Sequence, residues 1–137
     1  MPILEKAHID LEIKKTSRAN EAFDMMKALT PNCYDGIVTV SGDGLIHEVI
    51  NGLFANSDPT VRRDIPIGIL PGGTSNGLIK SILDHCNEAY CPRSAAFLIA
   101  KGFHSKMDTM EITLDNLDRK IYSHLSVTWG LIADIDI

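Results

Sequence analysis

The chain has 137 residues, 45% hydrophobic and 23% charged, a balance that suits one ordinary globular domain and excludes both a large two-domain enzyme and a disordered chain. Its 13 Lys and Arg against 18 Asp and Glu leave a formal charge of −5, which argues against nucleic acid as a partner. No stretch is long and apolar enough to span a bilayer, and Glu5, Lys6, Asp10 and Glu12 stand where a secretion signal would be apolar, so the expected compartment is cytoplasmic.

Pro2 to Ala7 reads as the end of a helix, and Ile9 to Ile13 alternates apolar and charged residues as a half-buried strand does. Between residues 17 and 29 the period changes: Ala19, Ala22, Phe23, Met26 and Leu29 form a helical stripe that stops at Thr30-Pro31-Asn32. Gly36 to Val40 is a short β-branched run, predicted as a buried central strand, and it enters Ser41-Gly42-Asp43-Gly44. Apolar positions then repeat helically from Leu45 to Phe54, and Asn56-Ser57-Asp58-Pro59 closes that segment. Ile65 to Leu70 is a second buried strand, leading into Pro71-Gly72-Gly73-Thr74-Ser75-Asn76-Gly77 and a helix through Leu83. Residues 93 to 101 read as one more helix, stopped at Gly102.

Strand and helix alternating at this spacing imply parallel βαβ units, hence an α/β open parallel sheet to about residue 103. Beyond it, Lys106 to Leu114 and Lys120 to Trp129 are two consecutive strand-like runs around Asp115-Asn116-Leu117-Asp118. That succession predicts a β-hairpin and the start of a second, β-rich layer. Both ends, Pro2 to Ala7 and Ala133 to Ile137, read as cuts through a longer chain.

Cys33, Cys86 and Cys91 are too few and too irregular for a disulfide framework, and with His85 and His104 they lack the CxxC or HxxxH spacing of a zinc site. No protein-held metal is expected.

Chemistry concentrates in the two glycine-bearing loops. In an open parallel sheet, ligands bind beyond the carboxyl ends of the strands, where loops meet helix N-termini. Gly42 and Gly44 let the backbone turn sharply and approach a phosphate, the next helix points its N–H groups at the anion, and Asp43 places a carboxylate at the rim. The sequence is neither GxGxxG nor a Walker A loop. Thr74, Ser75 and Asn76 each suit a helix N-cap, but two adjacent glycines with three consecutive polar residues exceed what one cap needs. Two such loops after successive strands predict a phosphate or nucleotide site. Glu48 lies one helical turn beyond Gly44, His47 reads as structural or exposed, and Trp129 reads as core.

Ser-Gly-Asp-Gly-Leu-Ile-His-Glu-Val-Ile-Asn-Gly-Leu at 41 to 53 and Leu-Pro-Gly-Gly-Thr-Ser-Asn at 70 to 76 resemble the diacylglycerol kinase catalytic domain family. With Tyr34-Asp35-Gly36-Ile37-Val38 before them and Trp129 to Asp136 near the end, the chain is most similar to the sphingosine kinases within it. The resemblance implies residues 1–103 as an α/β nucleotide-binding domain of the NAD kinase/diacylglycerol kinase type lacking its first strand, and residues 104–137 as the beginning of a β-sandwich lipid-binding domain. It implies transfer of the γ-phosphoryl group of ATP, with Mg2+, to a primary hydroxyl of a sphingoid base, and it allows peripheral contact with a membrane. By motif position, Asp43 is the base facing the acceptor hydroxyl. Ser41, Gly42, Gly44, Glu48, Gly73, Thr74 and Ser75 go with the nucleotide, as does Thr16. Ser126 and Asp136 go with the lipid's polar head.

Two readings stand beside this one. The GDG loop alone is shared with NAD and sugar-phosphate kinases, and PGGTSN follows the broader lipid-kinase pattern, which keeps diacylglycerol and ceramide as alternative acceptors. A truncated, inactive nucleotide-binding piece is the other.

Overall fold

The computed structural model describes residues 2–115 and 119–128. In chain order its elements are α1 (Pro2–Lys6), α2 (Glu21–Lys27), β1 (Ile37–Ser41), α3 (Asp43–Phe54) and α4 (Pro59–Asp64), then β2 (Ile67–Pro71), α5 (Gly77–His85), α6 (Pro92–Lys101), β3 (Met110–Ile112) and β4 (Ile121–Ser123). β1 and β2 pair in parallel, Ile37 opposite Ile67 and Ser41 opposite Pro71. Their carboxyl ends therefore lie side by side, and the two glycine loops leave the sheet at the same end.

α3 is the central helix. Ile46 and Ile50 on one side join Ile69 and Leu70 of β2, Ile79 and Leu83 of α5, Ala95 and Ala96 of α6 and Leu4 of α1. Val49 and Leu53 on another side join Ala22 and Met26 of α2 and Val61 of α4. The i, i+3, i+4 spacing of Ile46, Val49, Ile50 and Leu53 thus serves two apolar clusters at once. α2 approaches closely because residue 52 is glycine: a Cβ there would lie 2.7 Å from that of Met26. Leu83 is fully buried at 0% exposure, so its truncation to alanine would cost about 2–5 kcal/mol.

Several expected elements are found with small shifts at their ends. α6 stops where Gly102 takes a left-handed φ of 69°, as its sequence implies. Two expectations fail. Residues 9–13 form no strand: Leu11 and Ile13 are 38% and 73% exposed, and the segment is tied down by side chains, Tyr34 donating to Glu12 and Lys14 to Tyr34. Alternation supplies a face, but a strand also needs a neighbour's backbone, and none among the described residues pairs with it. The described parallel sheet therefore has two strands. β1 is not a buried central strand: with β2 its one partner among the described residues, Val38 and Val40 are 37% and 54% exposed. α4 was not anticipated; Asp58 accepts the Thr60 N–H at 2.9 Å as its N-cap, with Pro59 in the first turn.

The hairpin is present but short: β3 and β4 pair antiparallel, Met110 opposite Ser123 and Ile112 opposite Ile121. It docks on α3. Asn51 receives the Tyr122 N–H at 2.9 Å and donates to the Tyr122 carbonyl at 2.8 Å, and the Tyr122 ring stacks on Phe54. Residues 116–118 of the turn expected at 115–118, and residues 129–137 with Trp129, Asp134 and Asp136, lie outside the described residues.

Candidate functional site

β1 ends at Ser41 and α3 begins at Asp43, so Gly42 alone separates strand from helix. The second loop is stitched to the first by backbone: Gly72 N–H donates to the Ser41 carbonyl at 3.2 Å and Asp43 N–H to the Ser75 carbonyl at 3.0 Å. Gly42 and Gly73 make this approach possible, since a Cβ on Gly73 would strike the Gly42 backbone and one on Gly42 would strike the Ser75 carbonyl. Gly44 is different, for a Cβ there would meet nothing within 4 Å. Its lack of a side chain is not required by packing.

Asp43 is the hub. Its Oδ2 accepts the Gly77 N–H at 2.7 Å and the Ser75 hydroxyl at 2.9 Å, and its Oδ1 accepts the Leu78 N–H at 3.3 Å. Gly77 and Leu78 open α5, whose own N-cap residue, Asn76, makes no side-chain cap. The first residue of α3 therefore caps α5 from outside, placing a carboxylate at the positive end of that helix. Asp43 is 8% exposed. Burial pushes its carboxyl pKa up, but bonds from Gly77, Ser75 and Leu78, with the nearby His124, outweigh it and leave the pKa below the ordinary 3.8. The group is ionised at neutral pH, and three bonds leave a carboxylate further acceptor capacity.

The N-terminus of α3 itself carries no side-chain cap. Gly44 lies in its first turn and is exposed. With the Asp43 N–H taken by the Ser75 carbonyl, the next N–H groups of this 12-residue helix, beside exposed Gly73, Thr74 and Ser75, have the donor chemistry that phosphate oxygens require.

The structure brings Ser41, Gly42, Asp43, Gly44, Gly73, Thr74 and Ser75 together at one end of the sheet. Glu48 is turned elsewhere: its carboxylate accepts the Ala22 N–H at 3.2 Å, at the start of α2. Thr16 lines a cleft of about 480 Å3 with Glu12, Lys14, Tyr34 and Thr39, which none of residues 41–44 or 72–76 lines. Ser126 is exposed, and its carbonyl accepts the Ser123 hydroxyl at 3.3 Å. Asp136 lies outside the described residues.

His124 was not expected from the sequence. It follows β4, and its ring lies near Asp43 and His47. Burial lowers its pKa from the ordinary 6.5, Asp43 raises it in part, and His47 lowers it further. A histidine just past the strand-like Ile121-Tyr122-Ser123 run was the available signal. Leu125, next in the chain, packs on Gly77, where a Cβ would lie 3.7 Å from its Cδ2.

Comparison with known proteins places this geometry. Residues 1–112 match the family of the diacylglycerol kinase catalytic domain. Sphingosine kinase 2 of Arabidopsis thaliana is 43% identical over 136 residues, 99% of this chain and 28% of the relative. Sphingosine kinase 2 of Homo sapiens is 35% identical across 100% of this chain and 22% of its own length. Sphingoid long chain base kinase 4 of Schizosaccharomyces pombe is 36% identical across 99% of this chain and 28% of its length. The chain thus spans about a quarter of the length of these relatives.

Proposed function

The chain belongs to the diacylglycerol kinase catalytic domain family, and from that membership and the loop geometry we infer that it supplies the phosphoryl-transfer centre of an ATP-dependent kinase for the primary hydroxyl of a sphingoid base. The observation that carries this reading is the position of Asp43, an ionised carboxylate bonded to the second glycine loop and the start of α5, at a helix N-terminus that has no side-chain cap.

Phosphoryl transfer needs positioning and charge neutralisation more than covalent help. The first turn of α3, with Gly44 open to close approach, and the exposed Gly73, Thr74 and Ser75 are the donors for the nucleotide phosphates, flanked by Ser41 and Gly42. Mg2+, bound with the nucleotide, would supply neutralisation of the phosphate charge. The exposed Thr74 and Ser75 at the second loop carry hydroxyl oxygens, the hard donor type such an ion would take beside phosphate oxygens.

Asp43 orients the alcohol. Its low pKa makes it a weak base, so the proton leaves late, as the oxygen forms its bond to the γ-phosphorus and the bond to ADP breaks. Ser126 and Asp136 are assigned to the acceptor's polar head. Residues 104–137 are assigned to the acceptor side, where Asn51 holds Tyr122 of the hairpin against α3, and residues 1–103 to the nucleotide side. No helix among the described residues is long and apolar enough to cross a membrane, and a long-chain acceptor is taken up by peripheral contact in the cytoplasm.

Sphingoid bases are preferred to diacylglycerol as acceptor because the relatives named above carry that substrate class in their names. Transfer of label from γ-labelled ATP to sphingosine and to diacylglycerol, by the full gene product containing this chain, tests the reading. Label in sphingosine supports it, label in diacylglycerol alone changes the acceptor, and label in neither defeats it.

A further inference from the structure

Both ring nitrogens of His124 are closed to solvent and have no hydrogen-bond partner among the described residues. A neutral imidazole carries one donor and one acceptor nitrogen. Buried polar groups in native proteins are nearly always bonded, so two orphaned nitrogens on one ring require an explanation.

Their location supplies it. Asn51 grips the Tyr122 backbone from both sides, which fixes the chain just before His124 against α3. Leu125, just after it, rests on Gly77 at the start of α5, the residue whose N–H donates to Asp43. His124 is thereby held between two anchors, over the first turns of α3. The titratable groups that face it are Asp43 and His47, both on α3, and the start of α5 presents backbone at Gly77 and Leu78. The ring does not bond Asp43: three donors from the second loop and α5 occupy that carboxylate, and the imidazole is not among them.

We propose that His124 is a positioning contact for the phosphoryl acceptor, its imidazole bonding a second hydroxyl of the head group whose primary hydroxyl faces Asp43. A hydroxyl fits because it can donate to one ring nitrogen or accept from the other. The acceptor is then a head group with two hydroxyls a few bonds apart. This rests on the reading of Asp43 as the acceptor-side carboxylate. It adds a residue that selects among alcohols.

The test uses His124→Phe and His124→Gln in the full gene product, assayed with sphingosine and its 3-deoxy analogue. His124→Phe keeps the ring's bulk and removes the orphaned nitrogens. It is expected to raise the KM for sphingosine by about 3- to 10-fold, the factor one neutral hydrogen bond carries, and to leave the KM for ATP unchanged. Its unfolding midpoint is expected to hold or rise, since no bond within the chain is lost. His124→Gln, which keeps a donor and an acceptor, is expected to recover part of the loss. In the wild type the 3-deoxy analogue is the poorer substrate; in His124→Phe the two acceptors converge.

An active enzyme whose sphingosine KM is unmoved by His124→Phe overturns the proposal and leaves the kinase reading standing. So does a variant that loses ATP affinity, acceptor affinity and stability together, the mark of a structural histidine. If His124→Phe does not fold, His124→Leu, which also lacks a donor and an acceptor, is read in its place, and equal discrimination between the two acceptors in wild type and that variant overturns the proposal. A wild-type protein that phosphorylates no long-chain alcohol defeats the kinase reading itself and this inference with it.

Discussion

The Asp43 carboxylate accepts the Gly77 N–H at 2.7 Å, so the first residue of α3 caps the first turn of α5. One side chain therefore locks the two loops in register and keeps its charge where the sheet opens. Stability and site geometry are coupled through it.

Removing the carboxylate altogether separates these contributions. Asp43→Ala should lower stability by about 1–3 kcal/mol, because it uncaps α5 and leaves the Gly77 and Leu78 donors unpaired. Urea unfolding followed by circular dichroism measures it, and a variant as stable as wild type would show that the cap contributes nothing.

The glycines divide into two kinds. Gly73→Ala should destabilise by about 1–3 kcal/mol, since its Cβ meets the Gly42 backbone and one loop must yield. Gly44→Ala meets nothing within 4 Å and sits in a helix, where alanine is favoured by about 1 kcal/mol. It should hold or gain stability while weakening ATP binding, because the methyl occupies the phosphate approach. Unfolding midpoints should therefore move in opposite senses in the two variants, while a nucleotide titration shows weaker ATP binding in Gly44→Ala despite its unimpaired stability.

Asn51 is the hairpin's clamp. Asn51→Ala deletes two backbone bonds to Tyr122 and should cost about 1–3 kcal/mol. Hydrogen exchange gives a local reading: the Tyr122 amide should lose protection well before the amides of β1 and β2. Equal loss across the chain would mean that the hairpin and the parallel sheet open as one unit.

Acid should weaken the fold in two stages. His124 has its pKa lowered from 6.5, chiefly by burial, so the unfolded chain binds a proton first and stability falls as pH drops below about 6.5. Burial pushes the Asp43 pKa up, but its hydrogen bonds outweigh that and hold it below 3.8, so its contribution is complete above that value and is lost as pH falls through the folded pKa. His124→Phe should remove the first stage and leave the second. Unfolding free energies measured across this range in both proteins check the sign.

How much of this could be read in advance follows from what each feature depends on. α3 was legible because its apolar positions repeat and its glycine loop marks the start. The Ile9 to Ile13 alternation misled, since a strand is completed by a neighbour whose hydrogen bonds no periodicity encodes. α4 carried a sequence signal, Asp58 followed by Pro59, that also reads as a breaker; cap geometry decides between them. The coming together of the two glycine loops was legible from strand order. That Asp43 would bond across to Gly77 and Leu78 was not, because it depends on the stagger between two loops. Nor was Glu48 legible as the partner of Ala22, since residues 26 apart in sequence meet only through the packing of α2 on α3.

The most direct measurement is Asp43→Asn in the full gene product, assayed for phosphoryl transfer to sphingosine beside a nucleotide titration. Asparagine keeps the shape, and its one oxygen can hold the Gly77 and Ser75 bonds while its amide faces the more distant Leu78 donor. Transfer should fall by about 10² to 10⁴, the range of a lost proton acceptor, with ATP affinity within a few fold of wild type. A variant that still transfers phosphate at near wild-type rate, or one that loses ATP affinity in step with rate, would contradict the placement of Asp43 on the acceptor side.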